Sequence, residues 1–404
     1  MNASKKLLSL FTVGAIMLAC TACSSGSSGS STPGNPSSTG GSSSSSSPSS
    51  TGSTSAADNT GKSYTFGYNN FGQGAYPLDL NESVTKYALQ SMGMKMTSVN
   101  NQFTVDKLMT DAKTQISQGV DGMVFWSAAS TLFQPFSQMC QSTKTPFALG
   151  DKYPYDAKTQ AMLRSNKYFA GAISTDDAVS GGNMAKIALA EGHKKALIVA
   201  AAVGDINHDL RISGFTKAFE AGGGKVLGVA HCADPSEAVQ KSNDLITAHP
   251  EADCLYGSGG DYSQGILSCL QSSGRAGKIA IYGTDIDPNV IKAIKSGTIS
   301  AANGAAGPYC AGIAAALLVN YLDGHPILDE NNQAPCSNGI MTVTVTSKNV
   351  DDYNKYWIEK QIFTPDQYKS LLYRYNPKVT WKDYQTLISN YTFDNMVATA
   401  KAKG

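Results

Sequence analysis

The chain has no charge excess of either sign, and it has few charged residues. Its 404 residues include 32 basic and 31 acidic side chains, which leaves a formal net charge of +1, and charged residues make up only 16% of the sequence. A nucleic-acid-binding protein needs a positive excess to replace the counterions on phosphates. The balanced composition therefore argues against that class.

The sequence also lacks the motifs of common metalloenzymes and hydrolases. The five histidines show no metal-ligand spacing, and there is no HExxH, no pair of CxxC motifs and no GxSxG. Residues 285–289 begin like a calcium loop, but Val290 stands where glycine is required and Ser296 where glutamate is required. We therefore expect no metal, no cofactor and no enzymatic activity.

The N-terminus has the pattern of a secretion signal. Lys5 and Lys6 precede an apolar run at residues 7–18, which is too short to span a hydrocarbon core of ~30 Å. The small residues before Cys23 resemble a bacterial lipobox, in which the cysteine is acylated after cleavage. Cys20 is the alternative site, and an ordinary secreted protein with two incidental cysteines is the other interpretation. We predict a signal peptide at residues 1–22 and a lipid on Cys23.

Residues 23–60 consist almost entirely of Ser, Gly, Thr and Pro. Such a segment has too few apolar side chains to offset chain entropy, so we predict a disordered tether. A flexible chain of this length reaches on the order of 30–35 Å. The prediction is a protein anchored by lipid at the extracellular face of a bacterial membrane.

From residue 61 onward, short apolar runs alternate with amphipathic helical stripes, as at residues 105–116. This alternation predicts α/β architecture with parallel sheets covered on both faces, and about ten strands are enough for two doubly wound lobes. The predicted strands are 64–68, 95–99, 122–126, 146–150, 168–173, 196–201, 225–230, 254–257, 279–283 and 341–346.

Two further features remain in the mature sequence. Residues 350–404 are dense in aromatic side chains and are predicted to form a C-terminal helical appendage. Six cysteines follow the tether, after residue 60. They could be buried apolar residues or disulfide partners, and six cysteines allow 15 pairings that the sequence cannot distinguish.

Polar and aromatic residues occur where the predicted strands end. Ligands of parallel sheets bind outside the carboxyl ends of the strands, and a pair of facing lobes turns that position into a cleft. Directed hydrogen-bonding groups combined with aromatic faces suit a sugar. Each residue also has a structural alternative: Asp151 could cap a helix or turn, Arg211, predicted to lie just before a helix, could pair with Asp209, and Trp126 could be core. The candidates are Asn70, Phe71, Tyr76, Trp126, Asp151, Arg211, Asp261 and Asp285.

Four segments in this order resemble the type I periplasmic sugar-binding proteins. They are Gly119-Val120-Asp121-Gly122, residues 145–151, residues 205–215 and Tyr282-Gly283-Thr284-Asp285. The resemblance implies that Asp151, Arg211 and Asp285 bind sugar hydroxyls, and that Asn70, Phe71 and Tyr76 match the asparagine and aromatic site residues that follow the first strand in the family. It also implies that lobe one comprises residues 62–174 and 306–340, and lobe two residues 175–305 and 341–349. Two polar positions of lobe two differ from the family pattern. Gly260 stands where the family has an asparagine before Asp261, and Ala306 stands where it has a glutamine two residues before Pro308.

The resemblance implies a monomeric solute-binding protein that closes on a monosaccharide and delivers it to an ABC permease in the membrane. The alternative is a sensor that presents its ligand to a membrane receptor. An enzyme on the same scaffold is the third hypothesis, and it would require turnover of a sugar.

Overall fold

The computed structural model describes residues 61–304 and 306–402. The predicted signal peptide, the tether, Cys20 and Cys23 lie outside the described residues. The strands are β1 Thr65–Asn70, β2 Lys95–Asn100, β3 Gly122–Phe125, β4 Phe147–Asp151, β5 Phe169–Thr175, β6 Lys195–Ala201, β7 Lys225–Cys232, β8 Cys254–Gly257, β9 Ala280–Thr284, β10 Ala301–Gly304, β11 Cys336–Ile340 and β12 Val343–Thr346.

Helices connect almost all of these strands. They are α1 Tyr76–Ser91, α2 Val105–Ser117, α3 Phe133–Thr143, α4 Ala157–Ser165, α5 Asp177–Ala190, α6 Ile206–Ala221, α7 Ala238–Ala248, α8 Gly260–Ser272, α9 Pro288–Lys295, α10 Gly307–Leu322, α11 Val350–Tyr353, α12 Pro365–Ser370, α13 Trp381–Ser389 and α14 Phe393–Ala402. A π-helical turn, Asn354–Ile358, follows α11.

The strands form two six-stranded sheets. The first has the order β2-β1-β3-β4-β5-β11 and is entirely parallel. The second has the order β7-β6-β8-β9-β10-β12, and its edge strand β12 runs antiparallel to β10. Strands β3 and β5 are buried at every position, as expected of a parallel sheet covered on both faces. The predicted α/β fold with two doubly wound sheets is confirmed.

The chain passes between the two sheets three times. The first passage follows β5, the second joins β10 to α10, which packs on β4 and β5 of the first sheet, and the third lies between β11 and β12. Three crossings between the two sheets form a hinge of several chain segments.

Two strands were missed by the sequence analysis. Strand β10 reads Ala-Ala-Asn-Gly and β11 reads Cys-Ser-Asn-Gly-Ile, so neither has the β-branched content of a typical strand. They form because neighbouring strands offer hydrogen-bonding partners, β9 and β12 on the two sides of β10 and β5 beside the edge strand β11. The predicted strand 341–346 is also corrected, because β12 begins at Val343.

The predicted C-terminal helical appendage is present as α11–α14 and contacts elements of both sheets. Helix α11 packs against α9 and β12 of the second sheet, whereas α12 packs against α1 and α10, and α13 against β11 of the first. The six cysteines of the described residues are free thiols, and five are buried, which matches the interpretation as small apolar residues.

Candidate ligand-binding cleft

The carboxyl ends of the parallel strands carry most of the predicted site residues. Asn70 and Asp151 are the last residues of β1 and β4, Trp126 follows β3, and Asp285 follows β9. Asp151 and Asp285 both have left-handed backbone conformations, with φ values of 72° and 65°. Aspartate tolerates this conformation better than most residues do, and such conformations concentrate at functional sites.

On the first sheet, an aromatic surface supports a buried carboxylate. The indole Nε1 of Trp126 donates a hydrogen bond of 2.9 Å to Oδ2 of Asp151. The ring of Trp126 stacks on Phe71, with centroids 5.7 Å apart and planes 30° apart, and the ammonium of Lys152 lies 4.3 Å from its centroid. Trp126 is therefore largely buried, and its indole orients the carboxylate of Asp151.

On the second sheet, Arg211 is held in one orientation by three partners. Its Nε donates to Oδ1 of Asp177 at 2.6 Å, and its Nη1 donates to the carbonyl of Ser258 at 2.9 Å and to Oδ2 of Asp285 at 3.3 Å. Arg211 lies within α6 rather than before it, which corrects the sequence prediction, and it does not pair with Asp209. A guanidinium fixed in this way keeps further donors for a ligand at the same edge.

The close approach of α5 and α6 places Arg211 beside Asp177. A side chain on Gly214 of α6 would overlap the carbonyl oxygen of Ala178, and one on Gly181 of α5 would overlap the carbonyl oxygen of Arg211. The two glycines therefore let the helix backbones touch. Asp177 begins α5 and also accepts a hydrogen bond of 3.0 Å from the hydroxyl of Thr175.

Burial changes the acidity of these groups. Burial raises the pKa of Asp177 to about 6, although Arg211 opposes the shift. Burial also raises the pKa of Asp151, against the hydrogen bond from Trp126 and the positive charges of Lys152 and Arg211. Burial lowers the pKa of His208 to about 4, so its imidazole is neutral at pH 7 while its Nδ1 lies 2.7 Å from the hydroxyl of Ser258.

An ion pair connects the two halves of the cleft. The ammonium of Lys152, which follows β4 of the first sheet, lies 3.1 Å from Asp205, which caps α6 of the second sheet. Burial alone would raise the pKa of Asp205, but the nearby Lys152 holds it well below its ordinary value. The carboxylate of Asp205 also accepts the backbone N–H groups of Asn207 and His208.

Three predicted residues are placed differently from the rest. The amide of Asn70 donates to Asp79 and Glu82, and its oxygen accepts the N–H of Gly72, so the protein itself uses its hydrogen-bonding groups. Tyr76 is the first residue of α1 and not part of a loop, and its side chain is half-buried. Asp261 lies in the first turn of α8 with an exposed side chain.

Sequence reasoning missed Asp177, Lys152 and Asp205 as site residues. Lys152 and Asp205 belong to segments already recognised at strand ends, but their pairing depends on how the two sheets face each other. The Asp176-Asp177 pair directly after the fifth strand is the signal that would have identified Asp177.

At the opposite edge of the second sheet, the described residues contain one group with metal-ligating side chains. His193, Asp253 and Cys254 place their ligand atoms within 4.8 Å of one another. Both carboxylate oxygens of Asp253 already accept backbone N–H groups, from Lys194 and Lys195. Asp253 therefore orders the loop that precedes β6. In the described part of the chain, no helix is both long enough and apolar enough to cross a membrane.

Comparisons with known proteins agree with this fold. A curated relative, the ribose import binding protein of Bacillus subtilis (strain 168), is 23% identical over 227 residues, which are 55% of this chain and 70% of the relative. A glucose-galactose binding protein from Geobacillus stearothermophilus has 18% identity and a TM-score of 0.61, covering 71% of this chain and 99% of the other. The arabinose-transporter binding protein from Shewanella sp. ANA-3 has 16% identity and a TM-score of 0.63, covering 73% and 96%. These structures share the fold.

A family model described as a periplasmic binding protein domain matches residues 66–326, which is more than half of the chain. This match includes the cleft residues from Asn70 to Asp285. The protein thus belongs to the periplasmic binding protein family, with the type I fold that its sequence resembles.

Proposed function

We propose that this protein is a solute-binding protein that captures a small polyhydroxylated ligand, a monosaccharide or a related polyol. Two hydrogen bonds carry the proposal. Trp126 donates one to Asp151 at the end of β4 in the first sheet, and Arg211 donates one to Asp285, which follows β9 in the second. Carboxylates and a guanidinium bind hydroxyls through directed hydrogen bonds, and an aromatic face packs on C–H groups. The relatives named above, which bind or import sugars, support the same ligand class.

The proposal excludes turnover. The cleft acids already have partners that orient them, Trp126 for Asp151 and Arg211 for Asp177 and Asp285, which suits binding. A sugar incubated with the protein should be recovered unchanged, and release of a product would support the enzyme hypothesis.

Calorimetric titration with D-ribose, D-galactose, L-arabinose, D-allose and myo-inositol tests the ligand class. For the sugar that binds, Asp151→Asn and Asp285→Asn should each weaken binding about 10–100-fold, because each removes charge-assisted hydrogen bonds. Asp121→Asn is the matched control, since Asp121 lies at the opposite edge of the first sheet and accepts the N–H of Thr65 at 2.7 Å. Unchanged affinity in both cleft variants would refute the proposed site.

We further propose delivery of the ligand to an ABC importer and anchoring at the extracellular membrane face through a lipid on Cys23. Cys23 lies outside the described residues, and the sequence pattern around it supports the proposal. Cys23→Ala should release the protein into the medium or stall its processing, and lipid labelling that depends on Cys20 instead would contradict the choice of site. Loss of sugar uptake in a strain without the protein would support import, and normal uptake would favour the sensor.

A further inference from the structure

A buried phenol of the C-terminal appendage lies at the carboxyl ends of the strands in the second sheet, where the candidate site is. Tyr353 is the last residue of α11 and is fully buried. Its hydroxyl lies 2.5 Å from the point that a Cβ of Gly304 would occupy. Gly304 is the last residue of β10, and the preceding Asn303 pairs with Thr284 of β9. Tyr353 therefore reaches the carboxyl end of β10, level with Asp285.

The hydroxyl of Tyr353 has no hydrogen-bond partner among residues 61–304 and 306–402. A buried hydroxyl without a hydrogen-bond partner lowers the stability of the folded protein. Such a hydroxyl is therefore a candidate to form a hydrogen bond with a group that binds there. Burial raises the pKa of Tyr353 well above its ordinary value, and Tyr309, Tyr76 and Asp285 raise it further. The phenol is therefore protonated at neutral pH and available as a donor.

The segment that follows β10 offers no polar side chain of its own. Residues 304–307 read Gly-Ala-Ala-Gly, although they connect β10 to α10 at this edge. Asp285, which follows the neighbouring strand β9, accepts a hydrogen bond from Arg211. A ligand held by Asp285 and Arg211 would lie level with Gly304, which has no side chain, so the phenol of Tyr353 is placed to supply a donor on that side.

We propose that Tyr353 of the C-terminal appendage donates a hydrogen bond to a hydroxyl oxygen of the ligand bound at Asp285 and Arg211. This inference rests on the proposed function. It makes the appendage part of the binding site and makes Tyr353 a residue that determines specificity, since the hydrogen bond selects ligands with an oxygen at that position.

Tyr353→Phe tests the inference, because it removes one oxygen and preserves the packing of the ring. Tyr368→Phe is the matched control. Tyr368 is also a buried phenol of the appendage whose hydroxyl lacks a partner in the described part of the chain, but it packs beside Gly312 of α10 and near Tyr87. Neither variant should lower the melting temperature of the ligand-free protein, since each removes an unsatisfied hydroxyl.

The probe is the sugar of the calorimetric panel that the wild-type protein binds most tightly. Tyr353→Phe should raise its Kd about tenfold, and Tyr368→Phe should leave it unchanged. One monodeoxy analogue of the sugar should lack the oxygen that accepts this hydrogen bond. The wild-type protein should bind that analogue about tenfold more weakly than the parent sugar, whereas Tyr353→Phe should bind the analogue and the parent sugar with equal affinity.

The outcomes separate the two proposals. Equal affinity of wild type and Tyr353→Phe would overturn this inference and leave the proposed function intact. Equal weakening by both Phe variants would also overturn it, because it would indicate a general effect of the appendage. If the wild-type protein binds no sugar of the panel, the proposed function fails and this inference fails with it.

Discussion

The ammonium of Lys152 lies 3.1 Å from both carboxylate oxygens of Asp205, and this pair joins the end of strand β4 in the first sheet to helix α6 beside the second. Lys152 is buried and also lies over the ring of Trp126. An ion pair that spans the two sheets contributes to closure only while both partners are charged. Removing one partner leaves the other uncompensated.

We predict that the pair stabilises the ligand-bound state. Lys152→Met and Asp205→Asn should each raise the Kd about tenfold, mainly through faster dissociation, and the double variant should be no weaker than either single variant. Asparagine still caps a helix, so Asp205→Asn preserves α6. Stopped-flow dissociation measures the effect, with Lys107→Met as control, since it breaks an i,i+4 pair within α2. Additive losses in the double variant would contradict a direct coupling.

The contact between α5 and α6 gives a second prediction. In Gly214→Ala, the new methyl group overlaps the carbonyl oxygen of Ala178, so the helices must separate and Arg211 moves away from Asp177. We expect a loss of about 1–3 kcal/mol in the free energy of unfolding, together with weaker ligand binding.

Gly182→Ala is the control for this helix contact. Its Cβ would lie 3.5 Å from the carbonyl oxygen of Gly214 and 3.6 Å from the Cβ of Ala218, which are ordinary contacts. Since alanine favours a helix over glycine by up to about 1 kcal/mol, this variant should be as stable as wild type or more so. Urea unfolding of both variants measures the difference. A Gly214→Ala protein with wild-type stability and affinity would contradict the proposed spacing.

A third prediction concerns pH. Burial raises the pKa of Asp177 to about 6, so lowering the pH through 6 protonates this carboxyl and weakens its hold on Arg211. Ligand affinity should therefore fall between pH 7 and pH 5. The free energy of unfolding should change in the opposite direction. A carboxyl whose pKa is raised in the folded protein binds its proton more tightly there, so its contribution to stability increases as the pH falls.

Asp177→Asn separates the contribution of Asp177 from that of other acids, of which Asp151 also has a pKa raised by burial. Calorimetry from pH 5 to pH 8 should show a smaller dependence of the Kd on pH in this variant than in wild type. Identical pH profiles would assign the effect to another group.

The site residues at the strand ends were predictable because they follow directly from the local sequence. A short apolar run followed by Asp151 or Asp285 identifies the ligand edge without knowledge of the packing. The Arg211–Asp177 pair was not predictable in this way, since it depends on glycine contacts between α5 and α6 that only the folded chain brings together. Asn70 lies at the end of β1, where the sequence predicts it. Its amide, however, donates hydrogen bonds to Asp79 and Glu82 of the following helix, and the sequence pattern does not reveal these contacts.

The fourth prediction concerns Trp126 as a reporter of binding. Its indole is largely buried at the end of β3, stacks on Phe71 and donates to Asp151. A ligand that contacts Asp151 changes the surroundings of this indole, so ligand binding should change its fluorescence. Trp126→Phe should remove most of the response and raise the Kd about tenfold, because Asp151 loses a hydrogen bond that orients it.

Trp381→Phe is the control for this measurement, since Trp381 begins α13 in the appendage and packs near Tyr384. It should keep both the fluorescence response and the affinity. A plain core tryptophan would behave differently, because its truncation to alanine costs about 3–5 kcal/mol of stability without affecting the ligand. If Trp126→Phe is strongly destabilised and binds with unaltered affinity, Trp126 is core, and the aromatic contact with the ligand falls to Phe71 or Tyr76.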